Sequence, residues 1–331
     1  MTSVPRTAPT DSLGRRLAYL RLSVTPACTF RCVYCLPDGS GSRSSGRPLT
    51  VREIGRLLAG FAGIGLGKVR LSGGEATTRS DFAEIIRTAA HTPGIRTVAL
   101  TTNGYRLERN ARIWRQAGLA TLNVSVDSLN RETFARIAGV DHLHQVLGGL
   151  EAALEAGFER VKINTVLLKT VNDREVGAFL NLARDRPLDV RFIELMRTHD
   201  NAAFFERHHL RADTLVRQLE ELGWVRQGRA FDDGPARVYT HPDSRGRVGI
   251  IAPYSRDFCT ACNRVRVTAT GELRLCLFGT EGVSLRPYLQ EDRQRPLLQH
   301  TVLRSLALKP AGHRLASGDS GVTDHLASIG G

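Results

Sequence analysis

Three of the chain's six cysteines fall within eight residues, at Cys28, Cys32 and Cys35 of CTFRCVYC. The other three, Cys259, Cys262 and Cys276, form a second trio more than two hundred residues downstream. Disulfides need pairs, and a chain of 331 residues builds its core without covalent staples. Three thiolates spaced C-x3-C-x2-C can instead hold three irons of a cubane cluster and leave the fourth iron without a protein ligand. The alternative is zinc held by three cysteines and a histidine. Zinc sites usually pair C-x2-C units and close their shell with a fourth ligand, and the nearest histidine in sequence, His91, lies far along the chain.

The elements that must position these thiols follow a regular beat. Strand-like runs occur at LAYLRLSV, KVRLSGG, RTVALTTNG, TLNVSVDS, RVKINTVLL and DVRFIELM. Helical patterns lie between them: 50–64 puts Val51, Ile54, Leu57, Leu58, Phe61 and Ile64 on one face, and 142–157 repeats the pattern. Thr50 with Glu53 three residues on is a capping box that starts the first of these helices. Six βα units imply a parallel sheet. They are too few for a full eight-unit barrel but enough for a partial one, and a doubly wound open sheet competes with it. Past residue 200 the beat stops: 212–223 reads as a helix, 236–252 as a hairpin, and 264–277 as two strands joined at Thr270-Gly271. This smaller C-terminal layer carries the second cysteine trio. Residues 1–16 read as an unstructured lead-in, 37–48 as a Gly/Ser-rich loop, and 311–331 as a flexible tail ending Gly330-Gly331.

In parallel α/β folds reactive groups gather beyond the carboxyl ends of the strands. Here those ends carry the first trio, Gly73-Gly74-Glu75, Thr101-Thr102-Asn103-Gly104, Ser125 with Asp127, and Arg191, Glu194 and Met196. Each alone reads as a turn or cap; together on one rim they read as a site. The net charge of +13 points to anionic partners. Aromatics make up only 6% and do not interleave with a basic patch, so a small anionic substrate is favoured over nucleic acid. No secretory signal or run of 18 apolar residues is present, so the expectation is a cytoplasmic protein with no membrane partner.

CTFRCVYC in the first βα loop and GGE after the second strand resemble the radical S-adenosylmethionine (SAM) enzymes. Within them, LRLSVTPACTFRCVYCLP, VRLSGGE, LTTNG, LNVSVDSL, VKINTV, RFIELM, CTACNRVRVTATGELRLCLF and the terminal Gly-Gly are similar to the family of GTP 3′,8-cyclases of molybdenum-cofactor biosynthesis, from residue 17 to the end. The resemblance implies a partial (βα)6 TIM-type barrel over 17–200, an auxiliary-cluster part over 201–310, and two 4Fe–4S clusters. Cys28, Cys32 and Cys35 would ligate the first, whose open iron binds SAM; Cys259, Cys262 and Cys276 would ligate the second, whose open iron holds guanine. Tyr34, Gly74, Ser125 and Met196 match SAM contacts. Arg21, Arg70, Thr101, Lys162, Arg264 and Arg266 match GTP positions, with Arg191 a further candidate. Arg264 and Arg266 would also assist catalysis, and Gly330 and Gly331 would enter the site. Several guanidinium forks suit a triphosphate independently of any resemblance.

The bland readings are a surface-facing strand residue for Lys162 and a solvated edge strand for Arg264 and Arg266. The family's usual GGEP is GGEA here, with Ala76, and Pro26-Ala27 stands where Asp-Arg is common. The implied partners are GTP, a low-potential electron donor (about −400 mV or below) and, as next enzyme, cyclic pyranopterin monophosphate synthase. Two rival readings are another radical SAM enzyme with an auxiliary cluster, such as a peptide modifier, and a non-enzymatic iron–sulfur or zinc regulator.

Overall fold

The computed structural model describes residues 7–36, 46–229, 233–279, 282–323 and 326–329. The first half alternates strand and helix as its periodicity requires: β1 (Tyr19–Ser23), α1 (Val51–Gly63), β2 (Lys68–Ser72), α2 (Phe82–Ala90), β3 (Thr97–Thr102), α3 (Leu107–Gln116), β4 (Thr121–Ser125), α4 (Arg131–Ala138), α5 (Leu143–Glu155), β5 (Arg160–Leu167), α6 (Val176–Asp185) and β6 (Asp189–Glu194). There follow α7 (Ala202–His208), α8 (Asp213–Glu221), β7 (Val225–Arg226), β8 (Arg237–Thr240), β9 (Arg247–Ile251), β10 (Arg264–Val267), β11 (Glu272–Arg274), β12 (Val283–Ser284) and α9 (Arg295–Leu306).

The capping box forms as expected. Thr50 Oγ1 accepts from the Glu53 amide at 3.2 Å, and Glu53 Oε2 accepts from the Thr50 amide at 2.8 Å. Arg286 also donates to Glu53, tying α1 to the chain's C-terminal third.

All strands join one sheet of order β12-β11-β10-β1-β2-β3-β4-β5-β6-β9-β8-β7. β1 to β6 are parallel and consecutive, with no reversal of order, which removes the doubly wound alternative. The C-terminal strands do not stack as a separate layer. β10 pairs in parallel with β1, and β9 in parallel with β6, so they extend the two edges of the same sheet.

Alternation divides each strand. Leu20, Leu22, Val69, Leu71, Leu122, Val124, Val161, Ile163, Val190 and Phe192 belong to the hydrophobic core. The intervening residues, such as Arg21, Arg70, Asn123, Lys162 and Arg191, line one cavity on the other face. For strands spread along the sheet to share a cavity, the sheet must curl around it.

Two terminal expectations are corrected. Residues 7–16 are not an unstructured lead-in: Thr10 bridges Arg16, and Arg15, 8% exposed, pairs with Asp11 at 2.6 Å. The Arg15 guanidinium then donates to the carbonyls of Cys259 (3.1 Å), Pro310 (2.7 Å) and Ala311 (2.9 Å), because a buried charge must find acceptors. Nor is the tail wholly free, since Leu315, Thr323, Leu326 and Ala327 are buried. Gly330, Gly331 and loop residues 37–45 lie outside the described residues.

Candidate active site

The first trio lies on the loop after β1, braced on two sides. Gly74 N donates to Thr25 O (2.9 Å) and Glu75 N to Ala27 O (2.7 Å), so the GGE segment runs against the cysteine loop. A Cβ on Gly74 would stand 2.5 Å from the carbonyl oxygens of Pro26 and Ala27, which leaves room only for glycine. Glu75, 1% exposed, accepts from Thr77 N, Thr77 Oγ1, Thr102 Oγ1 and Asn103 N, fastening the end of β3 to the same loop. On the other side Tyr34 donates to Asp127 Oδ2 at 2.7 Å, and Asp127 Oδ1 accepts from Val166 N at 2.8 Å. Burial pushes the Asp127 carboxyl up to about 6 in spite of these donors. Asn201 Nδ2 donates to both Tyr34 O (2.9 Å) and Met196 O (3.0 Å), joining the cysteine loop to the exit of β6.

Burial, with the neighbouring Cys28, pushes the Cys35 thiol up to about 12, and burial raises Cys32 well above its ordinary range. Thiolates in such surroundings call for a compensating metal charge. All six cysteines are free. Among the described residues no group of three His, Cys, Asp or Glu side chains is placed to hold a single metal ion. Three free thiols on one loop braced at Gly74 are the donor set that three irons of a cluster require.

The cavity inside the sheet measures about 430 Å³. Nine Arg and Lys residues line it against two carboxylates, Glu159 and Asp233. Arg70 donates through Nε to the Tyr19 hydroxyl and through Nη1 to Leu100 O at 3.0 Å. Lys68 Nζ lies 5.4 Å from the Tyr19 ring centroid. Burial would raise the Tyr19 phenol, but Arg70, Arg21 and Lys68 outweigh it and bring it down to about 7. Burial, then Arg191 and Arg70, pull the Lys162 amine down to about 5; burial and Arg70 pull Arg191 down to about 10. Burial and the adjacent Arg21 depress Arg266 further still. So many cations facing one another are a standing demand for a polyanion.

The second trio is in the wall of this cavity. Cys259 and Cys262 precede β10, and Cys276 follows β11. Arg264 Nη2 lies 3.8 Å from Cys262 Sγ. Burial opposes ionisation of Cys262, but Arg264 and Lys309 outweigh it and bring the thiol down to about 6. A Cβ on Gly312 would come within 3.4 Å of Cys259 Sγ, so the segment after α9 closes over this trio.

Of the residues singled out in the sequence, Arg21, Arg70, Lys162, Arg191, Arg264, Arg266, Met196, Cys259, Cys262 and Cys276 share the cavity. Lys162 faces inward and is 5% exposed, and Arg264 and Arg266 lie on an interior strand; neither bland reading holds. Thr101 is outside the lining but receives Arg70 Nη1 at 3.4 Å. Cys28, Cys32, Cys35, Tyr34, Gly74 and Ser125 are not in the wall; they occupy strand ends and loops. The two regions meet through an apolar cluster in which Cys35 and Met196 pack with Phe278 and Leu326. Sequence reasoning missed Tyr19, Lys68, Asn123, Asn164, Asn201, Lys309 and His313; only the inward alternation of β1, β2, β4 and β5 signals the first four.

Consecutive parallel strands, a three-thiol loop after the first of them and a glycine cradle after the second define a radical SAM enzyme. Residues 22–183 match the family described as the Radical SAM superfamily, and 188–315 match Molybdenum Cofactor Synthesis C. SuiB from Streptococcus suis, in its crystal structure bound to S-adenosylmethionine, shares the fold with a TM-score of 0.60 at 12% identity, over 90% of this chain and 73% of that one. The GTP 3′,8-cyclase of Stenotrophomonas maltophilia is 55% identical, covering 97% of this chain and 99% of that protein. Those of Aeromonas hydrophila and Vibrio cholerae are 52% and 50% identical, each over 97% of this chain and over 95% and 97% of their own lengths. The chain belongs to the GTP 3′,8-cyclase family. No helix among the described residues is long and apolar enough to cross a membrane.

Proposed function

We propose that the chain converts GTP to 3′,8-cyclo-7,8-dihydro-GTP, the first step of molybdenum-cofactor biosynthesis. The observation that carries this reading is the cavity of nine cations with the second cysteine trio in its wall and Met196, next to the first trio's Cys35, at its edge. Cys28, Cys32 and Cys35 would hold one 4Fe–4S cluster, and Cys259, Cys262 and Cys276 a second. When bound, the first cluster and SAM would supply the radical chemistry needed to remove a hydrogen atom from ribose C3′.

The chain's own residues do the rest. Tyr34, Gly74, Ser125 and Met196 orient the cosubstrate. Arg21, Arg70, Lys162 and Arg191 grip the triphosphate, with Thr101 steadying Arg70. Arg264 and Arg266 sit beside Cys262 and stabilise negative charge as it develops on the guanine. The segment 309–323 over the second trio excludes water. We read the curled sheet as a partial (βα)6 barrel over 17–200, with 201–310 carrying the second cluster. A low-potential donor supplies the electron, cyclic pyranopterin monophosphate synthase takes the product onward, and the reducing cytoplasm suits both clusters.

Anaerobic reconstitution tests the reading. After reduction and addition of SAM, 5′-deoxyadenosine should form with GTP and not with ATP or CTP. Formation that ignores the nucleotide would retain the radical chemistry and discard the cyclase.

A further inference from the structure

The cavity wall holds two side-chain oxygens that the triphosphate contacts leave unused. Asn123 on β4 is 3% exposed, and its Oδ1 is buried and accepts no hydrogen bond among the described residues. Asn164 Oδ1 on β5 is likewise buried and unpartnered. Both residues line the cavity. Buried amide oxygens without a donor are uncommon in folded chains and point to a missing partner.

Strand register says which part of a nucleotide they would meet. Asn123 pairs across the sheet with Lys162, one of the triphosphate cations, and with Thr101 on its other side. Asn164 pairs with Ser125, on the cosubstrate's rim, and with Arg191. The two amides therefore stand between the residues that take the triphosphate and those that take the cosubstrate. In a nucleotide lying between these two groups, the ribose occupies that interval and brings two hydroxyl donors.

We propose that Asn123 and Asn164 accept hydrogen bonds from the ribose hydroxyls and so select ribonucleotides over 2′-deoxyribonucleotides. This rests on the GTP reading above. The physical basis is the asymmetry of buried acceptors: a site shaped to bond a hydroxyl rejects the analogue that lacks it, because the acceptor is then stranded. The cations cannot make this distinction, since both nucleotides carry the same triphosphate.

The test uses the reconstituted, unreduced protein, so that binding is read apart from turnover. Calorimetric titration with GTP and with 2′-deoxy-GTP should give an affinity about 10- to 100-fold weaker for the deoxynucleotide. Asn123→Leu and Asn164→Leu should each shrink that gap, chiefly by weakening GTP and leaving 2′-deoxy-GTP within about threefold of its wild-type affinity. Asn123→Asp retains the acceptor and size and should keep a ribonucleotide preference, which separates a lost contact from a damaged fold. Equal binding of the two nucleotides by the native protein overturns this inference alone. So does a Leu variant that weakens both equally, as loss of a structural water would. Failure to bind either nucleotide overturns the GTP reading itself and this inference with it.

Discussion

Binding of GTP should draw protons into the cavity, and Lys162 accounts for the first of them. Its amine is pulled down to about 5 by burial and then by Arg191 and Arg70. Asp189, the acid nearest in register, already engages Arg247 through both oxygens, at 2.9 and 2.6 Å. At pH 8 an amine of this kind is charged in only about 0.1% of molecules, and charging it costs about 4 kcal/mol. A triphosphate supplies the missing counter-charge and returns Lys162 to the ammonium form. Tyr19 is the second contributor. With its phenol at about 7 it is about nine-tenths ionised at pH 8, and a triphosphate that neutralises Arg70, Arg21 and Lys68 removes the cause.

The sign follows from linkage. The bound state holds more protons than the free state, so affinity falls as pH rises, approaching tenfold per unit for each group above its free value and below its bound one. Folding carries the opposite sign for Lys162. The folded, empty chain binds fewer protons than the unfolded one between about 5 and 10.5, so stability declines as pH falls through that window. Titrating GTP at pH 8 in buffers of different ionisation enthalpy should give a slope of nearly two protons taken up per nucleotide. Lys162→Met should lower it by about one, and Tyr19→Phe by nearly one. A slope near zero in the native protein would refute the electrostatic account of the cavity.

Two further outcomes test the frame around the site. Ala76 opens a short 3-10 turn, and the preceding Glu75 has φ −135° and ψ 106°, the extended conformation that a residue before proline adopts. Ala76→Pro should therefore be accommodated and stabilise by about 0.4–1 kcal/mol, or roughly 1 °C in Tm by scanning calorimetry; a fall in Tm would mean that the turn does not tolerate the ring. Arg15→Ala strands Asp11, which is 6% exposed, and releases the carbonyls of Cys259, Pro310 and Ala311. A loss of about 3–5 kcal/mol in denaturant unfolding is expected, together with faster amide exchange over 309–323; unchanged exchange would show that this segment is held by other contacts.

How much of this was legible in the sequence depends on how local each signal is. The Cys28–Cys35 spacing, the Thr50–Glu53 capping box and the helical stripe of α1 are set within one or two turns of chain, and each appears as expected. The β10–β1 pairing joins Tyr19 to Arg264 across most of the chain, and no local pattern announces it. That pairing explains why the C-terminal strands become sheet edges and bring the second trio to the cavity. Arg15 and Asn201 were illegible for a related reason: the contacts that tie them to distant segments are to backbone carbonyls, which carry no residue code.

The cavity itself left a trace that periodicity alone could have yielded. Strands of a parallel sheet covered on both faces read as near-continuous apolar runs. YLRLS, KVRLS, RVKIN and DVRFI alternate instead, each with a central Arg or Lys flanked on both sides by an apolar residue. A parallel sheet packed by helices on one face has one face left. Lining the cavity on that side with nine cations destabilises an empty fold, so the pattern makes physical sense only if a polyanion occupies the interior. The Lys and Arg stripe of β1, β2, β5 and β6 therefore encodes the substrate's charge, as the cysteine spacing encodes the first cluster. The same alternation turns Asn123 and Asn164 inward, but that their amide oxygens lack a partner is visible only in the fold.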